Sequence, residues 1–174
     1  VETDPPLVGF DEIVISEEQN TIGRLVAELI ADGSTIETGI GQLPTMVLKA
    51  LHDKNDLGVH SGMVSDAMAD LIDCGVINGR QKNVDTGKVV AGVALGSPWL
   101  HAFIRDREDI FFRPVSYTHN PDIIKQNDNF IAINSVIEID LFGQINGETI
   151  GGKQVGGPGG LADFMRGAKL AKNG

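Results

Sequence analysis

Apolar and polar positions alternate along the chain with two spacings, one typical of helices and one typical of strands. Ser16 and Gln19 have the three-residue spacing of a capping box, and Gly33 is a typical helix stop. Between them, apolar residues recur at the i, i+3, i+4, i+7, i+8 spacing of one helix face: Ile22, Leu25, Val26, Leu29 and Ile30. This pattern predicts a first helix with one apolar stripe.

Short apolar runs that are typical of strands alternate with further helical stretches. The predicted strands cover residues 35–38, 57–60, 89–95, 110–115 and 130–139, and 142–150 is expected to pair with the last of these. Further helices are predicted to begin near Pro44, Ser65, Ser97, Pro121 and Leu161. This alternation predicts an α/β fold, with an open, largely parallel sheet flanked by helices.

Composition fits an ordinary globular protein. The 174 residues are 41% hydrophobic and 22% charged, and no apolar run is long enough to span a membrane. One cysteine, Cys74, excludes an internal disulfide and favours a cytoplasmic location. Residues 1–12 contain Pro5 and Pro6 without periodicity, which predicts a linker from a missing N-terminal half.

The net charge of −10 argues against nucleic acid as a partner. Residues 149–174 depart from this balance, because only Asp163 opposes four cations there: Lys153, Arg166, Lys169 and Lys172. These cations either bind an anionic ligand or form a solvated helix face.

Two glycine-containing segments precede predicted helices. Gly39-Ile40-Gly41-Gln42-Leu43-Pro44 is not a dinucleotide fingerprint, since Pro44 stands where the third glycine would be. It is either a tight turn or a place where backbone N–H groups approach an anionic ligand. Residues 156–160 are either an inert surface loop or a loop whose amides hold an oxyanion.

Two side chains are candidates for proton transfer or nucleophilic attack. His60 is either a general base for water, with Ser61 beside it, or a hydrogen-bonded histidine at a strand end. Glu138 is either a structural carboxylate, with Asn134 on the same strand face, or a nucleophile or base. The four histidines lack the spacing of metal ligands, so no metal is expected.

Five segments, in this order along the chain, resemble the C-terminal half of the acetyl-CoA hydrolase and 4-hydroxybutyrate CoA-transferase family: residues 37–44, 58–66, 117–121, 134–146 and 156–164. The resemblance implies the CoA-transferase fold, which is similar to that of the sugar-phosphate isomerase group. It implies that residues 13–174 are most of the C-terminal domain of a longer protein. The implied partners are acyl-CoA, a short carboxylate, the N-terminal half and further copies in a homo-oligomer.

The resemblance also implies roles for individual residues. In the family, a glutamate at the place of Gly62 forms a thioester with CoA, and a glutamine stands at the place of Leu161. Glu138 and His60 are the substitute candidates for the missing glutamate. Arg166, Lys169 and Lys172 are suited to the CoA phosphates. CoA is expected to contact two glycine-containing segments and one strand residue: Gly39, Ile40, Gly41, Gln42, Leu43, Ile137, Gly159 and Gly160.

The expected function is therefore an enzyme of CoA-ester metabolism. It transfers CoA between a short-chain acyl-CoA and a carboxylate, or it hydrolyses the acyl-CoA. Because Gly62 cannot form the family's thioester, the alternative is a non-catalytic acyl-CoA-binding subunit or sensor.

Overall fold

A parallel sheet forms the centre of the computed structural model, which describes residues 15–174. The strands are β1 (Thr35–Thr38), β2 (Gly58–His60), β3 (Met63–Val64), β4 (Val89–Ala91), β5 (Val93–Ala94), β6 (Ile110–Phe112), β7 (Phe130–Ile133), β8 (Glu138–Ile139), β9 (Ile145–Asn146), β10 (Thr149–Ile150) and β11 (Lys153–Gln154). Five of them pair in parallel in the order β6-β4-β2-β1-β7. The predicted α/β fold with a largely parallel sheet is confirmed.

Helices cover both faces of this sheet. They are α1 (Glu17–Ala27), α2 (Gln42–Lys49), α3 (Asp66–Asp73), α4 (Pro98–Ile104), α5 (Val115–Thr118), α6 (Pro121–Ile124) and α7 (Leu161–Leu170). Three predicted serine caps are present, because the side chains of Ser16, Ser65 and Ser97 accept hydrogen bonds from backbone N–H groups of the first turns of α1, α3 and α4. Ser16 and Gln19 form the complete capping box.

The two faces of the sheet differ in chemistry. Ile36, Val59 and Val89 lie side by side on one face and belong to the apolar core that includes residues of α1 to α4. The opposite face carries Phe130, which packs with α6 and α7 in a smaller cluster. Glu37 and His60 also lie on that second face, since side chains alternate along each strand.

The last sheet strand ends earlier than the sequence pattern predicts. β7 stops at Ile133, whose partner Thr38 is the final residue of β1, so the ladder has no further backbone to pair with. Residues 136–156, called the arm below, instead form two small antiparallel hairpins, β8–β9 and β10–β11. The prediction that 130–139 is one strand was therefore wrong.

The apolar stripe of α1 is only partly buried. Ile22, Leu25 and Leu29 are exposed, whereas Gly23 and Ala27 are buried. A Cβ on Gly23 would lie 2.7 Å from the Met46 carbonyl carbon, so the glycine allows α1 to lie directly on the backbone of α2. The face of α1 that is buried is therefore set by its close packing on the backbone of α2, and not by the apolar stripe alone.

The proposed linker at residues 1–12 lies outside the described residues. Within residues 15–174, no helix combines the length and apolar character needed to cross a membrane.

Candidate functional site

The carboxyl ends of the five parallel strands meet at one edge of the sheet. Hydrogen bonds join the residues that leave this edge: Gly39 N donates to Ile133 O at 2.9 Å, and Gly92 N donates to Gly62 O at 3.0 Å. Strand order reverses between β1 and β7, because β2, β4 and β6 all lie on the other side of β1. Ligands of open α/β sheets bind at such an edge, where the order reverses.

Gly39 and Gly41 shape the turn between β1 and α2. A Cβ on Gly39 would lie 2.7 Å from Asn134 Oδ1, so a side chain at position 39 would displace Asn134. Gly41 is the N-cap of α2 with φ of 119°, a backbone conformation that favours glycine. The remaining predicted contacts of this segment lie at the same turn, where Ile40 is exposed and Gln42 and Leu43 begin α2.

Glu37 is a buried carboxyl group that sequence reasoning missed. It is 3% exposed, and its Oε2 accepts a hydrogen bond from Asn134 Nδ2 at 2.8 Å. Burial raises the pKa of Glu37 to about 8, although the hydrogen bond from Asn134 acts in the opposite direction. A glutamate inside a short predicted strand was the signal in the sequence. Glu37 and Asn134 tie β1 to the residue that follows β7.

Gly62 lies against an imidazole ring. A Cβ on Gly62 would be 3.2 Å from His119 Cε1 and 3.3 Å from His119 Nε2. A Cβ on Gly160 would approach the same ring even more closely, at 2.5 Å from Nε2. Two of the predicted site residues, Gly62 and Gly160, are therefore brought together by His119, which belongs to the family-like segment 117–121.

His119 is held from two sides. Its Nδ1 is 2.8 Å from Thr118 Oγ1, and its ring packs against Phe164 of α7 with 4.7 Å between the ring centres. Burial lowers the pKa of His119 below its usual value, and the negative charge of Asp163 acts in the opposite direction. The half-buried ring is consequently neutral near pH 7.

His60 lies beneath His119 and is fully buried. Its Nε2 is 3.0 Å from the carbonyl oxygen of Thr118, and its ring packs against Tyr117 and Phe130. Burial, followed by the positive charge of Lys82, lowers the pKa of His60 to about 4. A neutral His60 donates through Nε2 to Thr118 and so fixes the residue that precedes His119.

Glu138 and Ile137 lie in the arm rather than on the sheet edge. Glu138 is exposed and accepts a hydrogen bond from Asn146 Nδ2 at 2.8 Å. Asn134, one candidate partner for Glu138, instead pairs with Glu37. The cause is the early end of β7, which sends the backbone away from the sheet before Glu138.

The glycine-rich loop reaches the site at the start of α7. Gly159 has φ of 53°, and Gly160 is the N-cap of this helix. The N-terminus of a helix favours negative charge, so Gly160 and Leu161 bring free backbone N–H groups and a positive dipole end towards His119.

The cations of α7 do not all lie near this edge. Lys172 follows the far end of the helix, where its carbonyl accepts from Asn129 N, just before β7 begins. Its Nζ is 3.5 Å from Asp128 Oδ2. Lys172 therefore lies at the opposite edge of the sheet from the candidate site.

No group of three or more His, Cys, Asp and Glu side chains in residues 15–174 is arranged to hold a metal ion. The chemistry available at the sheet edge is that of backbone N–H groups, a neutral imidazole and a protonated buried carboxyl group.

Comparison with known proteins identifies related chains. Residues 96–174 match the family described as the acetyl-CoA hydrolase/transferase C-terminal domain. The 4-hydroxybutyrate coenzyme A transferase of Clostridium kluyveri is 40% identical over 174 residues, which are 100% of this chain and 41% of that protein. The succinyl-CoA:cyclohexane-1-carboxylate CoA transferase of Geobacter metallireducens is also 40% identical, over 100% of this chain and 40% of its own length.

Similarity extends to solved structures. The crystal structure of RipA from Yersinia pestis superposes with a TM-score of 0.93 and 38% identity, covering 98% of this chain and 39% of that one. The chain thus spans about two fifths of the length of these relatives.

Proposed function

The chain belongs to the acetyl-CoA hydrolase/transferase family, and from this premise we propose that the protein acts on the thioester bond of short-chain acyl-CoA. It transfers CoA from the acyl-CoA to a carboxylate, or it hydrolyses the acyl-CoA with water. The substrate is the acyl-CoA, and no metal takes part in the proposed reaction.

One observation carries this proposal. Three segments that resemble the acyl-CoA site of the family, residues 37–44, 58–66 and 156–164, lie next to one another at the sheet edge. Ser61 Oγ donates to Thr38 O at 3.4 Å, and Gly62 and Gly160 both lie against the His119 ring. Adjacent strand ends and a helix N-terminus form a surface suited to a thioester carbonyl. We propose that CoA contacts Gly39 to Leu43 and the Gly159-Gly160 turn.

The absence of a side chain at Gly62 constrains the reaction. A carboxylate at this place would attack the acyl-CoA and carry CoA as an enzyme thioester. Gly62 has no nucleophile, so the reaction uses water or a carboxylate from another source. Among the earlier candidates, Glu138 is exposed in the arm and His60 is buried, and we propose a supporting role for both.

We further propose that the remainder of the protein, corresponding to the unmatched part of the relatives, completes this site. The arm supports this idea, because it exposes large apolar side chains: Ile139, Leu141, Phe142 and Ile150. Further copies of the protein in a homo-oligomer are part of the same proposal. The unpaired Cys74 supports a reducing compartment such as the cytoplasm.

A combined binding and turnover experiment tests the proposal. CoA and acetyl-CoA are titrated into the complete protein by calorimetry, and free thiol is followed in the same samples with and without acetate. We expect acetyl-CoA to bind and thiol to be released. Binding without thiol release and without acetate exchange would instead support an acyl-CoA sensor, and no binding at all would overturn the assignment of acyl-CoA as the ligand.

A further inference from the structure

The His119 ring borders the space that a side chain at position 62 would enter. A Cβ on Gly62 would lie 3.2 Å and 3.3 Å from two atoms of this ring, which is closer than most such contacts in proteins. The imidazole edge formed by Cε1 and Nε2 therefore stands at the centre of the sheet edge, between the end of β2 and the start of α7.

We propose that His119 is the general base that activates water for hydrolysis of the acyl-CoA thioester. The inference rests on the proposed function, since it assumes that an acyl-CoA occupies this edge. The inference also decides between water and a carboxylate as the acceptor of the acyl-CoA reaction. A base beside Gly62 activates water, and without a glutamate at position 62 no enzyme thioester forms that could pass CoA to a carboxylate.

The surroundings of the ring select the nitrogen that acts. His119 Nδ1 lies 2.8 Å from Thr118 Oγ1, and the proposal takes the tautomer in which Nδ1 carries the proton and donates a hydrogen bond to Oγ1. Nε2 then holds a free lone pair, and among residues 15–174 it makes no hydrogen bond of its own. Both glycines approach this nitrogen, since a Cβ on Gly62 would lie 3.3 Å from Nε2 and a Cβ on Gly160 would lie 2.5 Å from it.

The support behind the ring is rigid. His119 N donates to Val115 O at 3.0 Å, and His60 holds the Thr118 carbonyl at 3.0 Å. Phe164 closes one side of the imidazole. A base positioned by packing and by a hydrogen bond to its second nitrogen has the arrangement that general-base catalysis requires.

The reaction balances without any further reagent. Nε2 takes one proton from water while the water oxygen bonds to the thioester carbonyl carbon. The bond between carbon and sulfur then breaks, and the CoA thiolate takes the proton from Nε2, which leaves a carboxylic acid and free CoA. Negative charge on the carbonyl oxygen during attack is stabilised by the N-terminus of α7.

Substitution of His119 in the complete protein tests the role of the ring. His119→Gln should lower the rate of thiol release from acetyl-CoA by about 10²-fold to 10⁴-fold, the usual contribution of a general base. Its affinity for CoA, measured by calorimetry, should stay within about threefold of the original value because no CoA contact is removed. The control His52→Gln changes an exposed histidine between α2 and α3 and should release thiol at the original rate.

Chemical rescue separates catalysis from packing. His119→Ala leaves a gap beside Gly62 and Gly160, and added imidazole should restore thiol release at least tenfold. In water enriched in ¹⁸O, the acid released by the original protein should carry the label.

Each alternative result has a distinct meaning. Full thiol release by His119→Gln would overturn the role of His119 and leave the proposed function intact. Loss of CoA binding together with activity, or failure of imidazole to rescue, would assign the ring to packing alone. An original protein that neither releases thiol nor exchanges acetate would overturn both proposals.

Discussion

Position 62 shows how one residue alters the chemistry open to a whole site. With no side chain at Gly62, the neighbouring ring of His119 comes within contact distance of the strand end. Sequence reasoning identified the missing carboxylate from the His60-Ser61-Gly62 motif. It could not identify what borders the space, because His119 is 57 positions further along the chain and is brought there only by α5.

The crowding at Gly62 predicts that restoring a glutamate alone will fail. In Gly62→Glu, the new Cβ would lie only 3.2 Å from the His119 ring, so the glutamate is crowded by the ring and we expect no gain of CoA exchange between acetyl-CoA and acetate. The double variant Gly62→Glu/His119→Asn removes the ring and should gain exchange. Incorporation of labelled acetate into acetyl-CoA measures this.

Ala31→Glu provides the control for added charge, since Ala31 is exposed and precedes β1, at the opposite edge of the sheet from the candidate site. It should leave exchange unchanged. Rapid exchange by Gly62→Glu alone would show that the ring moves aside freely and does not define the site.

Glu37 predicts an unusual dependence of stability on pH. Its folded-state pKa is about 8, whereas the usual value is 4.5, so between these values the folded protein keeps a proton that the unfolded chain releases. Stability therefore falls as pH rises through this window, at about 1.4 kcal/mol per pH unit and at most about 5 kcal/mol in total.

Glu37→Gln removes this proton and keeps an acceptor for Asn134. We expect the variant to match the original protein near pH 4.5 and to be more stable by about 2–5 kcal/mol at pH 8. Urea unfolding at both pH values measures the difference. Glu108→Gln, at an exposed position, is the control, and equal pH slopes in the Glu37→Gln and original proteins would refute the assignment.

At the scale of elements, the sequence predicted correctly the helix caps, which depend only on residues within one helical turn. Ser65 and Ser97 cap the helices that the sequence placed after them, because capping depends on residues only three positions apart. Element ends that depend on distant partners were not predictable. β7 ends where β1 ends, and the short helix α5 has no apolar periodicity to reveal it.

The packing of α6 on α7 depends on another close approach. A Cβ on Gly167 would lie 2.6 Å from Ile124 Cβ and would also overlap Ile124 Cγ2. Gly167→Ala should therefore lower the free energy of unfolding by about 1–2 kcal/mol, because overpacking outweighs the higher helix propensity of alanine.

Chemical denaturation measures this effect against Gly157→Ala, where a Cβ meets no atom within 4 Å. The control variant should be unchanged or slightly more stable. Increased stability in Gly167→Ala would mean that α6 and α7 can separate without cost, and that α7 does not hold His119 rigidly.

At the scale of the whole molecule, the two faces of the sheet differ in the side chains that they bury. One face is an apolar core against α1 to α4, while the other buries Glu37, His60 and Lys82 among few apolar side chains. The sequence predicted the parallel sheet, and several of its motifs lie together at one edge of that sheet. The polar face was not predictable, since short strands of three or four residues give too little alternation to show which side each residue occupies.

The arm leads to a prediction about the complete protein. Leu141 and Phe142 are 104% and 91% exposed, so they bury almost no surface within residues 15–174. Replacing both with Ser should change the stability of the 174-residue chain by less than about 0.5 kcal/mol. In the complete protein the same change should lower the melting temperature, because these side chains are proposed to pack against the remaining region. Calorimetry of the 174-residue chain and of the complete protein, with the exposed Leu170→Ser as control, shows whether the arm is buried in the complete protein. An unchanged melting temperature in the complete protein would place the arm in solvent there too, and the sheet edge would then be completed by other elements.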